Sequence, residues 1–204
     1  LVESDHKVRL FEELFRVLRR GGRAVISDIV SDEPIPEHMQ KDAKLWSGCL
    51  SGAWTEEGCL RACEEAGVSG GACLKFETDP WQTVEGLEVR SVTVQAWKGK
   101  EGACRDHRQA VVYRGPFKEV TDDDGHRLRR GVREAVCEKT FRIYRGPAYA
   151  GQFAFLEPRE PVRPEEAREF DCDRDARRDP RETKGADYDA TSDPQQCCGD
   201  ESCC

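Results

Sequence analysis

The chain has 204 residues, of which 37% are hydrophobic and 35% charged, and it carries a net charge of −8. That length allows one large or two small domains with a real core, but the polarity is high for a chain packed throughout. The acidic balance argues against nucleic acid as the main partner; residues 159–204 alone hold 14 acidic and 8 basic side chains, so the remainder is nearly neutral. No apolar run approaches the roughly 20 residues that span a bilayer. No signal peptide is visible at the start either, so the sequence reads as soluble and cytoplasmic, with no membrane partner.

In chain order, Asp5 is placed to cap a helix whose apolar residues Val8, Phe11, Leu14, Phe15 and Leu18 recur at helical spacing, and Gly21-Gly22 ends it. RAVISDIV follows, a β-branched run of the kind buried in a parallel sheet, with Asp28 toward its C-terminal end. In an open α/β sheet that end is where ligands bind. Pro34 and Pro36 start the next stretch as a loop, which runs to WSGCLSGAW, residues 46–54, a cysteine between two Ser-Gly steps. Thr55 caps a second helix, TEEGCLRACEEAG, closed by Gly67. CLKFE and VRSVTVQAW read as strands, one of them antiparallel in a closing hairpin. The fold class expected is α/β, the second half of a doubly wound sheet.

After Lys100 the pattern changes. QAVVYRG and AVCEKTFRIYRG are strand-like, and TDDDGHRLRRG between them is a charged turn around Gly125. The expected organisation is therefore a sheet domain over 1–100, a small β-rich module over 101–157 and a disordered acidic tail over 158–204, where almost nothing is apolar.

Eleven cysteines in a chain read as intracellular point to thiol chemistry or metal binding more than to a disulfide framework. The plainest reading of Cys59, Cys63 and Cys73 is as small core residues. Cys137, on an expected strand, also reads as packing. Cys197, Cys198, Cys203 and Cys204, in the terminal CCGDESCC, have no apolar surroundings to pack in and read either as further ligands for soft ions or as an inert, oxidation-prone terminus. CxxC zinc spacing is absent from that terminus.

FEELFRVLRRGGRAVISDIVSDEPIPEHM, then WSGCLSGA, then AWKGKEGACRDHRQAVVYRG and finally VCEKT resemble consecutive blocks of the C-terminal half of arsenite methyltransferases, from the first residue to about Phe155. The resemblance implies a class I (Rossmann-like) methyltransferase sheet, S-adenosylmethionine as methyl donor, trivalent arsenic as substrate and a glutathione- or thioredoxin-like thiol as reductant. It places Cys49 and Cys104 at the family's arsenic-binding thiols, as catalytic and arsenic-binding residues. A soft trivalent centre prefers thiolate sulfur, and its free lone pair is the nucleophile toward the methyl group. The glycine-rich cofactor loop of such enzymes has no counterpart here, so no residue is assigned to the cofactor and the chain reads as a fragment, inactive alone, with an unpaired strand edge. The alternatives are a non-catalytic arsenite or soft-metal binding module and a methyltransferase for another small molecule.

Overall fold

A computed structural model describes residues 4–185. The first helix, α1 (Ser4–Val17), leads through Gly21, whose φ of 69° suits a residue without Cβ, into strand β1 (Arg23–Ser31). Two short helices, α2 (Glu37–Gln40) and α3 (Ala43–Ser47), lie in the loop that follows, before strand β2 (Trp54–Thr55). Helix α4 (Glu56–Glu65) then precedes strands β3 (Val68–Phe76), β4 (Gln82–Val84) and β5 (Leu87–Lys98). Thr55 caps α4 by accepting from the Gly58 amide at 3.0 Å, as its sequence position suggests.

The sheet runs in the order β2-β1-β5-β3, with β4 also on β5. β5 is antiparallel to both β1 and β3, so those two run parallel and are joined by the α4 crossover, while β5 fills the gap between them. On the outer side of β1 only Val30 and Ser31 are paired, to Trp54 and Thr55 of β2. One face of the sheet takes the helices: Phe11, Ala62, Cys63, Val68 and Ala96 form one cluster, Val30, Cys59, Val92 and Val94 another. Trp54 stacks on Phe11 at 5.5 Å and belongs to this core. Cys59 and Cys63 are buried there as expected, and burial pushes the Cys63 thiol up to about 12. Cys73 differs from its expected core role: it lies on the exposed part of β3 beyond the Ser69/Ala72 bulge, where the strand leaves the helix layer.

The second part opens with strand β6 (Arg105–Asp106) and continues through β7 (Ala110–Tyr113), β8 (Glu119–Thr121), β9 (Arg127–Arg129) and β10 (Arg133–Ala135). Helix α5 (Glu138–Tyr144) and strand β11 (Phe153–Leu156) follow. β10, β7 and β11 form an antiparallel sheet, and the charged turn expected around Gly125 is the tip of a hairpin formed by β8 and β9. The core is aromatic, with Tyr113, Phe141, Tyr144 and Phe153 packed on Val111, Leu128 and Val136. Tyr144 and Phe153 stack at 4.5 Å. CEKTFRIY is thus a helix where a strand was expected. Its β-branched and aromatic residues suit either state, and the helix wins because Phe141 and Tyr144, three apart, both reach the core while Cys137 caps the first turn.

Residues 158–185 also depart from the expected disorder. They form a strap containing strand β12 (Arg168–Glu169), paired to β6, and helix α6 (Pro180–Lys184), whose capping box joins Asp179 and Glu182. The strap is held by polar contacts more than by apolar burial, which is why a composition argument misses it. The Ala135 amide donates to Ala176 O and the Arg178 amide to Arg133 O. The guanidinium of Arg178, 5% exposed, forks onto Asp106 at 2.6 and 3.1 Å and also donates to Gln109 O and Glu182. Cys197, Cys198, Cys203 and Cys204 lie outside the described residues.

Replacing this guanidinium by the uncharged thioether of methionine leaves Asp106 without its ionic partner. Arg178→Met should cost about 3 kcal/mol, the lower end for a broken buried pair because Asp106 keeps some contact with water. Urea unfolding followed by tyrosine fluorescence measures this, and an unchanged midpoint would show that the strap is held by other means.

Candidate functional site

The two thiols singled out in the sequence sit in different settings. Cys49 follows α3, which Asp42 caps by accepting from the Lys44 and Leu45 amides. Its amide donates to Trp46 O at 3.1 Å, and its φ of 66° puts it in the left-handed region that normally takes glycine at a helix end. The segment carrying it is pinned by Ser51 Oγ donating to Met39 O, and by Ile35, Met39 and Leu45 packed on Leu87 at the start of β5. Cys104 follows the other end of β5. The eleven steps of this twelve-residue strand, at about 3.3 Å each, separate those ends by about 36 Å. The structure does not bring Cys49 and Cys104 together.

It brings Cys104 to two other thiols. The Sγ atoms of Cys104, Cys137 and Cys172 all lie within 4.8 Å of one another, with Cys137 buried and the other two half-buried. Three local structures converge to do this. The loop 99–104 is gripped by α5: Lys139 Nζ donates to the carbonyls of Glu101, Gly102 and Ala103 at 2.5, 2.6 and 2.5 Å, and Glu138 accepts from the Arg105 amide. Cys137 is the N-cap of α5, its sulfur accepting from the Thr140 amide at 3.4 Å. Cys172 arrives on the strap, aligned by the β6–β12 pair and by the Phe170 amide donating to Cys104 O at 3.0 Å.

Burial raises the Cys104 and Cys172 thiols, Cys172 to about 12, and a hydrogen bond with Cys104 adds to this for Cys172. Lys100 acts in the opposite direction on both. Its ammonium donates to Thr140 Oγ1 at 3.2 Å and pairs with Asp124 Oδ2 at 3.1 Å. Burial works against that charge, yet Asp124 outweighs it and the lysine stays protonated. A second group of ligand atoms, Asp122, Asp124 and His126, lies in the β8–β9 turn. Its members are engaged within the fold: Asp122 accepts from Tyr144 Oη at 2.6 Å and pairs with His126 Nδ1 at 2.9 Å, and Asp124 holds Lys100. Burial opposes the Asp122 charge, but the His126 and Tyr144 contacts prevail and hold its carboxyl below the usual carboxylate range.

Sequence reading thus found Cys104 and missed the thiols beside it. Cys137 was read as strand packing. Cys172 fell inside a stretch read as disordered, where its one available signal was a cysteine with Ala167 and Phe170 close by in an otherwise charged run. The loop that follows β1 is Asp32–Pro36 and not a glycine-rich turn. No helix among the described residues is long and apolar enough to cross a membrane.

Lys100→Met should slow iodoacetamide modification of Cys104 and Cys172 near neutral pH, because removing the cation takes away a contribution that works against burial at both thiols. Site-resolved mass spectrometry after timed alkylation reads this; faster modification would mean that Lys100 shields the thiols more than it acidifies them.

A family described as a domain of unknown function (DUF8838) matches residues 100–188, a span that takes in the strap and all three thiols. An arsenite methyltransferase of Aquipseudomonas alcaligenes is 27% identical over 165 residues, 75% of this chain and 48% of that protein. One from Halobacterium salinarum is 43% identical over 64 residues, 31% of this chain and 16% of that protein. The arsenite methyltransferase of Mus musculus is 27% identical over 73% of this chain and 42% of its own length. A solved arsenic(III) S-adenosylmethionine methyltransferase from Chlamydomonas reinhardtii aligns over 74% of this chain and 55% of its own, at 23% identity and a TM-score of 0.41. The chain spans about half the length, or less, of the curated relatives it matches.

Proposed function

We propose that this chain, related in sequence to the C-terminal region of arsenite methyltransferases, is the arsenic-handling part of an S-adenosylmethionine-dependent enzyme that methylates trivalent arsenic. The observation that carries the reading is the delivery of Cys104 into a cluster of three thiols. Sulfur is the ligand a soft trivalent centre prefers, and three sulfurs leave its lone pair free to take up a methyl group. Bound S-adenosylmethionine supplies that methyl as an electrophile. What this chain's residues do is hold and orient: Lys139 and Glu138 fix the loop of Cys104, the N-cap turn fixes Cys137, and the strap fixes Cys172.

Cys49 has a separate part in this reading. It stands in the loop beyond the carboxyl end of β1, the edge at which open α/β sheets bind ligands. The insertion of β5 between two parallel strands joined by a helix is consistent with the second half of a doubly wound methyltransferase sheet. A thiol reductant completes the proposed cycle, and cytoplasmic location fits its need for reduced cysteines.

A left-handed cysteine costs roughly 1 kcal/mol relative to glycine, so Cys49→Gly separates function from fold. In a full-length arsenite methyltransferase carrying this sequence as its C-terminal part, Cys49→Gly should raise unfolding stability by about that amount while abolishing or greatly weakening methylation. Cys104→Ser should also abolish methylation, whereas Cys59→Ser should keep most of it. Chromatographic detection of methylated arsenic species measures all three, and full activity in Cys49→Gly and Cys104→Ser would sink the reading. The 204-residue chain alone, supplied with S-adenosylmethionine and arsenite, should form no methylated product.

A further inference from the structure

The geometry points to a complete three-sulfur receptor for arsenous acid made by Cys104, Cys137 and Cys172 within the module alone, without Cys49. The ligand class rests on the arsenite reading above; the site itself rests on the cluster. Two sulfurs bound at about 2.3 Å to one soft centre stand no more than about 4.6 Å apart, and the three Sγ atoms already lie within 4.8 Å of one another. Small side-chain rotations therefore close the site, and each cysteine is fixed from a different side, by the loop after β5, the cap of α5 and the strap.

Zinc is the main competitor for three thiols, and two features disfavour it. Structural zinc takes four ligands in a tetrahedron, and among the described residues no fourth thiol, imidazole or carboxylate atom joins the group at that spacing. The second feature is proton balance. Binding a divalent ion expels the three thiol protons into solvent. Arsenous acid is neutral and brings its own proton acceptors: three As–O bonds break, three As–S bonds form, and each thiol proton leaves with a hydroxide as water. No charge is created and no oxidant or reductant is needed.

The test uses the 204-residue chain with Cys197, Cys198, Cys203 and Cys204 changed to serine, so that terminal thiols cannot contribute. Sodium arsenite is titrated under a non-thiol reductant at neutral pH, following sulfur-to-arsenic ultraviolet absorption, and the bound form is examined by arsenic X-ray absorption. One arsenic per chain with three sulfur neighbours is expected, unchanged in Cys49→Ser. Cys172→Ser and Cys137→Ser should each reduce the sulfur count to two and weaken binding about tenfold or more. Serine at 137 can still cap α5, and circular dichroism checks that both variants fold. Retention of three sulfurs in both variants, loss of binding in Cys49→Ser, or displacement of arsenite by equimolar zinc would each overturn the proposal. Failure here with methylation still dependent on Cys104 removes only the three-sulfur site. Three-sulfur binding with methylation indifferent to Cys104 removes only the enzymatic reading.

Discussion

The arrangement of the C-terminal module depends on one buried guanidinium. Arg178 reaches Asp106 on β6, Gln109 O just before β7 and Glu182 on α6. A strap with almost no apolar side chains cannot be held by burial, whose driving force scales with apolar area, so it is held by a charge pair that burial strengthens. Arg129, bound to buried Glu134 and to Asp175, adds a second tie of the same kind. Cys172 lies on the same strap, shortly before Asp175, and these ties hold the segment that carries it.

Around this strap the thiol cluster is assembled from parts with distinct chemistry. Backbone pairing of β6 with β12 sets the register that brings Cys172 beside Cys104. Helix capping sets Cys137, using sulfur as an acceptor in a role that oxygen usually fills. The neighbouring turn contributes through charge: Asp124 keeps Lys100 protonated beside the sulfurs, while Asp122 is committed to Tyr144 and His126 in the aromatic core. Packing, electrostatics and the candidate chemistry thus meet within the residues matched by DUF8838.

Much of the first hundred residues is legible from sequence because hydrophobic period and turn chemistry agree there. Phe11 and Cys63 face the sheet as their helical spacing implies, Thr55 caps the helix it precedes, and VRSVTVQAW forms the central strand. The later elements are less legible because long-range partners decide them. CEKTFRIY could satisfy a strand or a helix locally, and the aromatic core settled it. Residues 158–185 look unfoldable by composition until Arg178 and Arg129 find acids that are distant in sequence. For the site, the family resemblance led to Cys104, whereas Cys137 and Cys172 join it through tertiary contacts that no spacing in the chain announces.

Lys139 donating to three consecutive carbonyls bears on how the proposed site would meet a ligand. A free loop of this length loses backbone freedom when it closes on a ligand, at roughly 1–2 kcal/mol per residue fixed. Here the loop is ordered beforehand, so the entropy of arranging Cys104 is met during folding and not during capture. Such preorganisation leaves more of the sulfur bonding energy available as affinity, and it favours long residence of the bound species over rapid exchange.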